Sequence, residues 1–256
     1  MGSFVFITGA SSGFGEACAE IFAENGYNLI LTARRKDRLD KLSNQIKEKF
    51  GIEVITHELD VRDEFAVKKV VDSLSKNVKS NLKILINNAG LAAGRDPIET
   101  GLTSDWNQMI DTNVKGLLYV SQNIIPLLKK NGNGHIFNIS SIAGKEVYVN
   151  GNVYCASKHA VDALSKAMRI ELVEFGIKVT NIAPGAAETE FSLVRFKGDK
   201  TTAESVYNGF EPLQAKDIAE TIYFAATRPK HVTLNDIVIM PTAQANSSVL
   251  HKNQES

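Results

Sequence analysis

The chain has 256 residues, 43% of them hydrophobic and 23% charged, which is ordinary for a globular protein and enough for one large α/β domain or two small ones. Lys+Arg and Asp+Glu each number 29, so the formal net charge is zero and nothing in it points to nucleic acid or a polyanionic surface as partner. Two distant cysteines, Cys18 and Cys155, make no disulfide framework. The five histidines show no zinc-ligand spacing, and no apolar run approaches the roughly 18 residues of a membrane span.

An apolar strand, FVFITG (4–9), begins almost at once where a signal peptide would carry a basic start and a long apolar run. The expectation is a protein of a reducing cytoplasm, without metal and off the membrane. A helix with apolar positions Ala17, Ile21 and Phe22 follows and closes at Gly26. Strand NLILTA (28–33) leads to an amphipathic helix ending at Gly51. VITHELD (54–60) predicts a third strand, then a charged helix runs through Ser80. LKILINNAG (82–90) is a fourth strand, and residues 105–130 a long helix. GHIFNISS (134–141) and IKVTNIAPG (177–185) are the fifth and sixth strands, separated by a helix that starts near Tyr154. Residues 186–212 form a polar helical excursion, a substrate lid or wall. A helix over 216–228 and a strand over 235–242 precede a polar tail, 243–256, which either reaches a neighbouring subunit or stays loose. Strand alternating with helix predicts a doubly wound parallel sheet of about seven strands, covered on both faces, in one α/β domain spanning 1–256.

The first strand-to-helix turn, TGASSGFG, places Gly9, Gly13 and Gly15 where a tight turn and a close approach to a pyrophosphate are needed, with Ser11 and Ser12 as hydroxyl donors. Helix–strand packing alone would also account for such a turn. An NAD-binding chain usually puts a carboxylate at the end of the second strand for the ribose 2′-hydroxyl. Here Arg34 and Arg35 stand there, and two guanidinium groups suit a 2′-phosphate. Cations at a helix start oppose the macrodipole, so either they are merely solvated or something holds them. The expected cofactor is NADP(H).

In NVYCASKHA (152–160), Tyr154 and Lys158 stand one helical turn apart on one face. A phenol is a poor base at neutral pH, and a nearby ammonium should lower its pKa toward the working range. The pair thus predicts general acid/base chemistry on an alcohol or carbonyl, where hydride transfer at carbon requires proton transfer at oxygen. A plain surface Tyr/Lys pair is the alternative.

TGASSGFG, NNAG (87–90), Asn113, Ser141 and YCASK (154–158), in this order, resemble the short-chain dehydrogenase/reductase family over nearly the whole chain. Ser141 lies thirteen residues before Tyr154, a spacing that family commonly shows, and this favours it over Ser140 as the donor to the substrate oxygen. The resemblance implies that Asn113 holds a water relaying protons to Lys158, which also binds the nicotinamide ribose. It implies adenine contacts from Asp60 and Val61, ribose contacts and support of the sheet from Asn87, Ala89 and Gly90, and nicotinamide contacts from Pro184, Gly185 and Thr189 in PGAAET. Phe14 stands where isoleucine is usual. Ala186 and Ala187 replace bulkier aliphatics, which puts the nicotinamide contacts in doubt.

ETEFSLVRFKGD (188–199), PLQAKDIAETI (212–222) and MPTAQ (240–244) resemble the NADP-dependent 3-hydroxy acid dehydrogenases, which oxidise serine, allo-threonine and short 3-hydroxy acids. The resemblance also implies a homotetramer built on helices 105–130 and 153–175. A substrate carboxylate needs a cation or backbone donors: Arg195 and Arg95, with Lys197 behind them, are candidates, although each reads more readily as a solvated charge than as an anchor. Two other readings stay open. One is a broad carbonyl or 3-oxoacyl thioester reductase, and the other is an NADP sensor without turnover.

Overall fold

The computed structural model describes residues 2–253. In chain order its elements are β1 (Phe4–Thr8), α1 (Gly13–Glu24), β2 (Asn28–Ala33), α2 (Lys36–Phe50), β3 (Val54–Glu58), α3 (Glu64–Ser73), α4 (Lys76–Asn81), β4 (Leu82–Asn87) and α5 (Thr103–Ile110). After a π-helical turn (Asp111–Gly116) come α6 (Leu117–Lys130), β5 (Gly134–Ile139), α7 (Asn152–Leu172), β6 (Ile177–Pro184), β7 (Ala187–Glu188), α8 (Glu190–Arg195), α9 (Lys200–Ser205), β8 (Leu213–Gln214), α10 (Ala215–Ala226) and β9 (Asp236–Ile239).

Seven strands form one parallel sheet in the order β3-β2-β1-β4-β5-β6-β9. The pleat of β1 divides the core. Val5 and Ile7, with Leu29 and Leu31 beside them, face Cys18, Phe22, Leu39 and Ile222 of α1, α2 and α10. Phe4 and Phe6, with Ile30, face Val67, Val71, Ile124, Val161 and Leu172 of α3, α6 and α7. Each such fully buried large side chain stabilises the fold by on the order of 1.5–3 kcal/mol. The strand order reverses between β1 and β4. Open α/β sheets bind ligands outside the C-terminal strand ends at such a point.

Several expectations shift. The charged helix through Ser80 is two helices, because Ser75 starts α4 by accepting from the Val78 amide at 3.3 Å. The long helix 105–130 begins two residues earlier and carries a π turn at its middle. The strand predicted to end at Asp60 stops at Glu58, and the one predicted through Gly90 stops at Asn87. Residues 186–212 hold two short helices and one strand of the small parallel pair β7–β8. The polar tail is not loose over its described part. Gln244 bridges Leu250, and the Asn253 amide donates to the Gly209 carbonyl at 2.8 Å. Residues 254–256 of that tail lie outside the described residues.

Candidate active site

A cavity of about 790 Å³ runs along the C-terminal strand ends, from the β1–α1 turn past β4 and β5 to the start of α7, walled by residues 184–196 and by the tail. Gly9 (φ +66°) and Gly13 (φ +56°) turn the chain through the left-handed region. A Cβ at Gly15 would lie 2.4 Å from the Gly9 carbonyl oxygen, so only glycine lets α1 seat on the turn. Gly15 itself therefore packs the turn and does not line the cavity. Ser12 is the N-cap of α1 but makes no side-chain cap bond. The first-turn amides are left to an anion, which is the donor set a pyrophosphate requires.

The Ser12 hydroxyl accepts from Arg35 Nη2 at 2.8 Å, and Ser11 accepts from Nη2 and Nε at 3.2 and 3.3 Å. Arg35 Nη1 donates to Glu190 at 2.8 Å, and Arg38 donates to the other Glu190 oxygen at 2.6 Å. These partners hold the cations whose place at a helix start the macrodipole opposes. Arg34 is exposed and lines the cavity too. Its charge, after the Arg62 hydrogen bonds, helps keep the Asp60 carboxyl below its ordinary range. Asp60 and Val61 line the cavity, but the Asp60 carboxylate is paired with Arg62.

Asn87 fulfils the sheet-stabilising half of its expected role and not the ribose-lining half. Its carboxamide is buried and donates to Ser121 Oγ at 3.0 Å and Asn138 Oδ1 at 2.9 Å, so it braces the sheet away from the cavity. The next residue, Asn88, takes the lining position and donates to the Thr8 and Gly9 carbonyls at 2.9 and 3.1 Å. Ala89 and Gly90 line the cavity as predicted.

The catalytic candidates meet where β5 ends and α7 begins. Of the two serines, Ser140 is buried and its hydroxyl donates to the Lys158 carbonyl at 3.0 Å, which ties β5 to α7. The Ser141 hydroxyl accepts from the Ala143 amide at 3.1 Å, donates to the Pro184 carbonyl at 3.4 Å and lies close enough to the Tyr154 phenol to lower its pKa. Lys158 donates to the Ile139 carbonyl at 2.9 Å and stands 5.9 Å from the centre of the Tyr154 ring. Burial lowers its pKa to about 8. Burial also pushes the Tyr154 phenol well above its ordinary value. Ser141 and Arg195, not Lys158, are what pull it back. The expected lowering of the phenol's pKa rests on the Lys158 ammonium together with the positive charge of the oxidised nicotinamide; among the chain's own groups, desolvation outweighs what lowers it.

Asn113, in the π turn, does not line the cavity. It accepts from the Leu91 amide, donates to the Leu91 carbonyl (both 2.8 Å), and donates to Ser157 Oγ at 3.0 Å. A Cβ placed on Gly90 would meet Asn113 Oδ1 at 3.2 Å and Lys158 Nζ at 3.3 Å, so the two polar groups converge beneath that glycine.

On the substrate side the three candidate cations separate. Lys197 pairs with Asp105 at 2.9 Å. Arg95 is exposed, 5.8 Å from the Tyr148 ring. Arg195 lies between the Tyr148 and Tyr154 rings, 5.5 Å from each, and donates from Nη1 to the Tyr148 hydroxyl at 3.0 Å. Its Nε and Nη2 are buried without a partner. Arg195 is therefore not a solvated charge. Tyr148 and Phe191 line the same wall, and sequence reasoning missed both. Pro184, Gly185 and Thr189 line the cavity, and Gln244 of the tail accepts from the Ala186 amide at 2.7 Å.

A model of the short chain dehydrogenase family matches residues 3–199. The chain belongs to that family. A sulfoacetaldehyde reductase of Chromohalobacter salexigens is 45% identical over 97% of this chain and 98% of its own. An NADP-dependent 3-hydroxy acid dehydrogenase of Salmonella typhi is 42% identical over 94% and 96%. A solved closed form of serine dehydrogenase complexed with NADP+ superposes with a TM-score of 0.91 at 39% identity, covering 98% of this chain and all of the other. The chain is an oxidoreductase of this family, and its fold superposes on the solved neighbour over nearly its whole length.

Proposed function

We propose that this dehydrogenase interconverts the alcohol and carbonyl forms of a small molecule with an anionic group one carbon away from the reacting centre, such as serine, allo-threonine or a short 3-hydroxy acid. The observation that carries this is Arg195. A guanidinium with two buried, unpaired N–H groups beside the Tyr154 ring is costly unless an anion completes it, and its fork suits a carboxylate or a sulfonate.

NADP(H), the cofactor of the relatives, supplies the hydride acceptor or donor; the uncapped first turn of α1, Ser11, Ser12, Arg34 and Arg35 would hold its phosphates. Ser141 fixes the substrate oxygen. Tyr154 gives its proton to that oxygen in reduction and takes it back in oxidation. Burial favours the protonated phenol, so reduction starts with the acid already charged with its proton. Lys158, still largely an ammonium at neutral pH, favours the phenolate left behind and holds the nicotinamide ribose. Asn113 keeps the Leu91 loop and Lys158 in register.

A sulfonate analogue is the second reading, favoured by the 45% identity to a sulfoacetaldehyde reductase. The Arg195 fork does not separate the two anions. The two free, buried thiols support the reading of a reducing cytoplasm.

The test follows absorbance of reduced nicotinamide with NADP or NAD, and L-serine, D-serine, L-allo-threonine, 3-hydroxybutyrate, 2-hydroxyethanesulfonate and a simple secondary alcohol. Turnover with NADP and the anionic alcohols is the expected result, abolished in Tyr154→Phe with NADPH binding retained. Turnover restricted to neutral carbonyl compounds would make the protein a general reductase. Cofactor binding with no turnover on any substrate would make it a sensor.

A further inference from the structure

Glu190 is the first residue of α8, the helix whose last residue is Arg195. Its carboxylate reaches back across the cavity mouth and takes one guanidinium N–H from Arg35 and one from Arg38. Arg35 is thereby bonded on Nε, Nη1 and Nη2, to Ser11, Ser12 and Glu190. Arg35 is also a guanidinium placed for a cofactor 2′-phosphate. A phosphate there meets a carboxylate already on the same guanidinium, and two anions on one cation repel.

We propose that Glu190 is an internal competitor for the cofactor 2′-phosphate: the phosphate takes Arg35, and the carboxylate shifts wholly to Arg38. The inference rests on the reading of Arg35 as a 2′-phosphate site. It makes Glu190 a residue that sets the NADP/NAD preference from the lid, outside the first two βα units. It also links the two ends of the active site. The α8 segment from Glu190 to Arg195 spans about 8 Å, and its far end is held by the Gly94 amide, which donates to the Arg195 carbonyl at 3.2 Å, and by the Lys197–Asp105 pair. A shift of Glu190 from Arg35 to Arg38 therefore acts on the helix that carries the anion-binding guanidinium.

The test is equilibrium binding by nicotinamide fluorescence and calorimetry, with NADPH, NADH and adenosine 2′,5′-bisphosphate, on the wild type and Glu190→Gln. Loss of a half-exposed competing ion pair should tighten NADPH and the bisphosphate by about 2- to 5-fold while NADH moves less than about 1.5-fold. Arg38→Gln leaves Glu190 to Arg35 alone, so it should weaken NADPH in the wild type and much less in the Glu190→Gln background. Unchanged or weaker NADPH binding in Glu190→Gln overturns the proposal, as does an equal gain for NADH. If the wild type binds NADPH and NADH alike, the 2′-phosphate reading of Arg35 fails and the competitor falls with it. If the wild type prefers NADPH and Glu190→Gln leaves the ratio untouched, only the competitor fails.

Discussion

Lys158 is buried beneath the cavity with a single carbonyl, that of Ile139, receiving its ammonium. Burial sets its folded pKa at about 8, below the ordinary 10.5. The unfolded chain therefore holds the proton more tightly, and folding carries a penalty that is full below about pH 8 and fades as pH rises toward 10.5. The penalty is about 3 kcal/mol, against about 1 kcal/mol for orphaning the Ile139 carbonyl. Lys158→Met should thus be inactive yet more stable at pH 7, with Tm raised by about 2–6 °C and the gap to wild type closing between pH 8 and 10. Calorimetry across that range decides it; a Tm lower at every pH would mean the ammonium is stabilised in a way its surroundings do not show. At this scale the sequence was legible where a residue's role depends on its own chemistry and its place in a motif. Tyr154, Lys158 and the glycines are of that kind. It was not legible where the role depends on which way a side chain turns at a strand end. Asn87 and Asn88 are chemically identical, yet only the second reaches the β1 turn. Arg195, Arg95 and Lys197 could be told apart only once α8 had set one of them between two tyrosine rings.

The π turn at 111–116 is the element that best shows structure serving the site. A π turn adds a residue to the helical circuit and is energetically poorer than α, so it persists where something else fixes it. Here Asn113 fixes it, with three buried hydrogen bonds to the Leu91 backbone and Ser157. Asn113→Ala should leave the Leu91 amide and carbonyl buried and unpaired, at a cost of about 2–4 kcal/mol in urea unfolding, and should lower turnover. Wild-type stability with lost turnover would assign Asn113 to proton relay alone; loss of neither would remove it from both roles. Helical periodicity ran unbroken through 105–130 because a single π turn hardly disturbs the apolar spacing. The order in the described part of the tail is hidden from the sequence for a related reason. Its polar composition speaks for solvent, but its backbone pairs locally across Gln244 and Leu250, and the Ser247 amide finds the Glu146 carboxylate at 2.8 Å. Hydrogen bonding of that kind leaves no periodic trace.

At the scale of the whole molecule, a parallel sheet buried on both faces leaves few reasons for large apolar residues to face water. Ile170 near the end of α7 and Val173 just past it are 77% and 72% exposed, and Phe224 on α10 and Val238 on the edge strand β9 are about half exposed. Scattered single residues are normal on a monomer, but two on one helical face of a chain with zero net charge suit association. A homotetramer with dihedral symmetry needs two isologous surfaces, and these residues lie on two separate parts of the fold. The long-helix surface expected from sequence is the one carrying Ile170. If the chain assembles as the homotetramer that the family resemblance implies, Ile170→Asp with Val173→Asp should stop assembly at a dimer. Phe224→Asp with Val238→Asp should do the same through the other surface, and all four together should give monomers. Sedimentation velocity reads the outcome directly. A monomeric wild type, or a tetramer that survives the Ile170/Val173 pair, would sink the assignment of α7 to an interface. Secondary structure and Tm of the monomers should hold near wild type if the sheet and its two layers carry the core alone. If they unfold, the exposed face of α7 is part of what keeps Tyr154 and Lys158, on the same helix, in place.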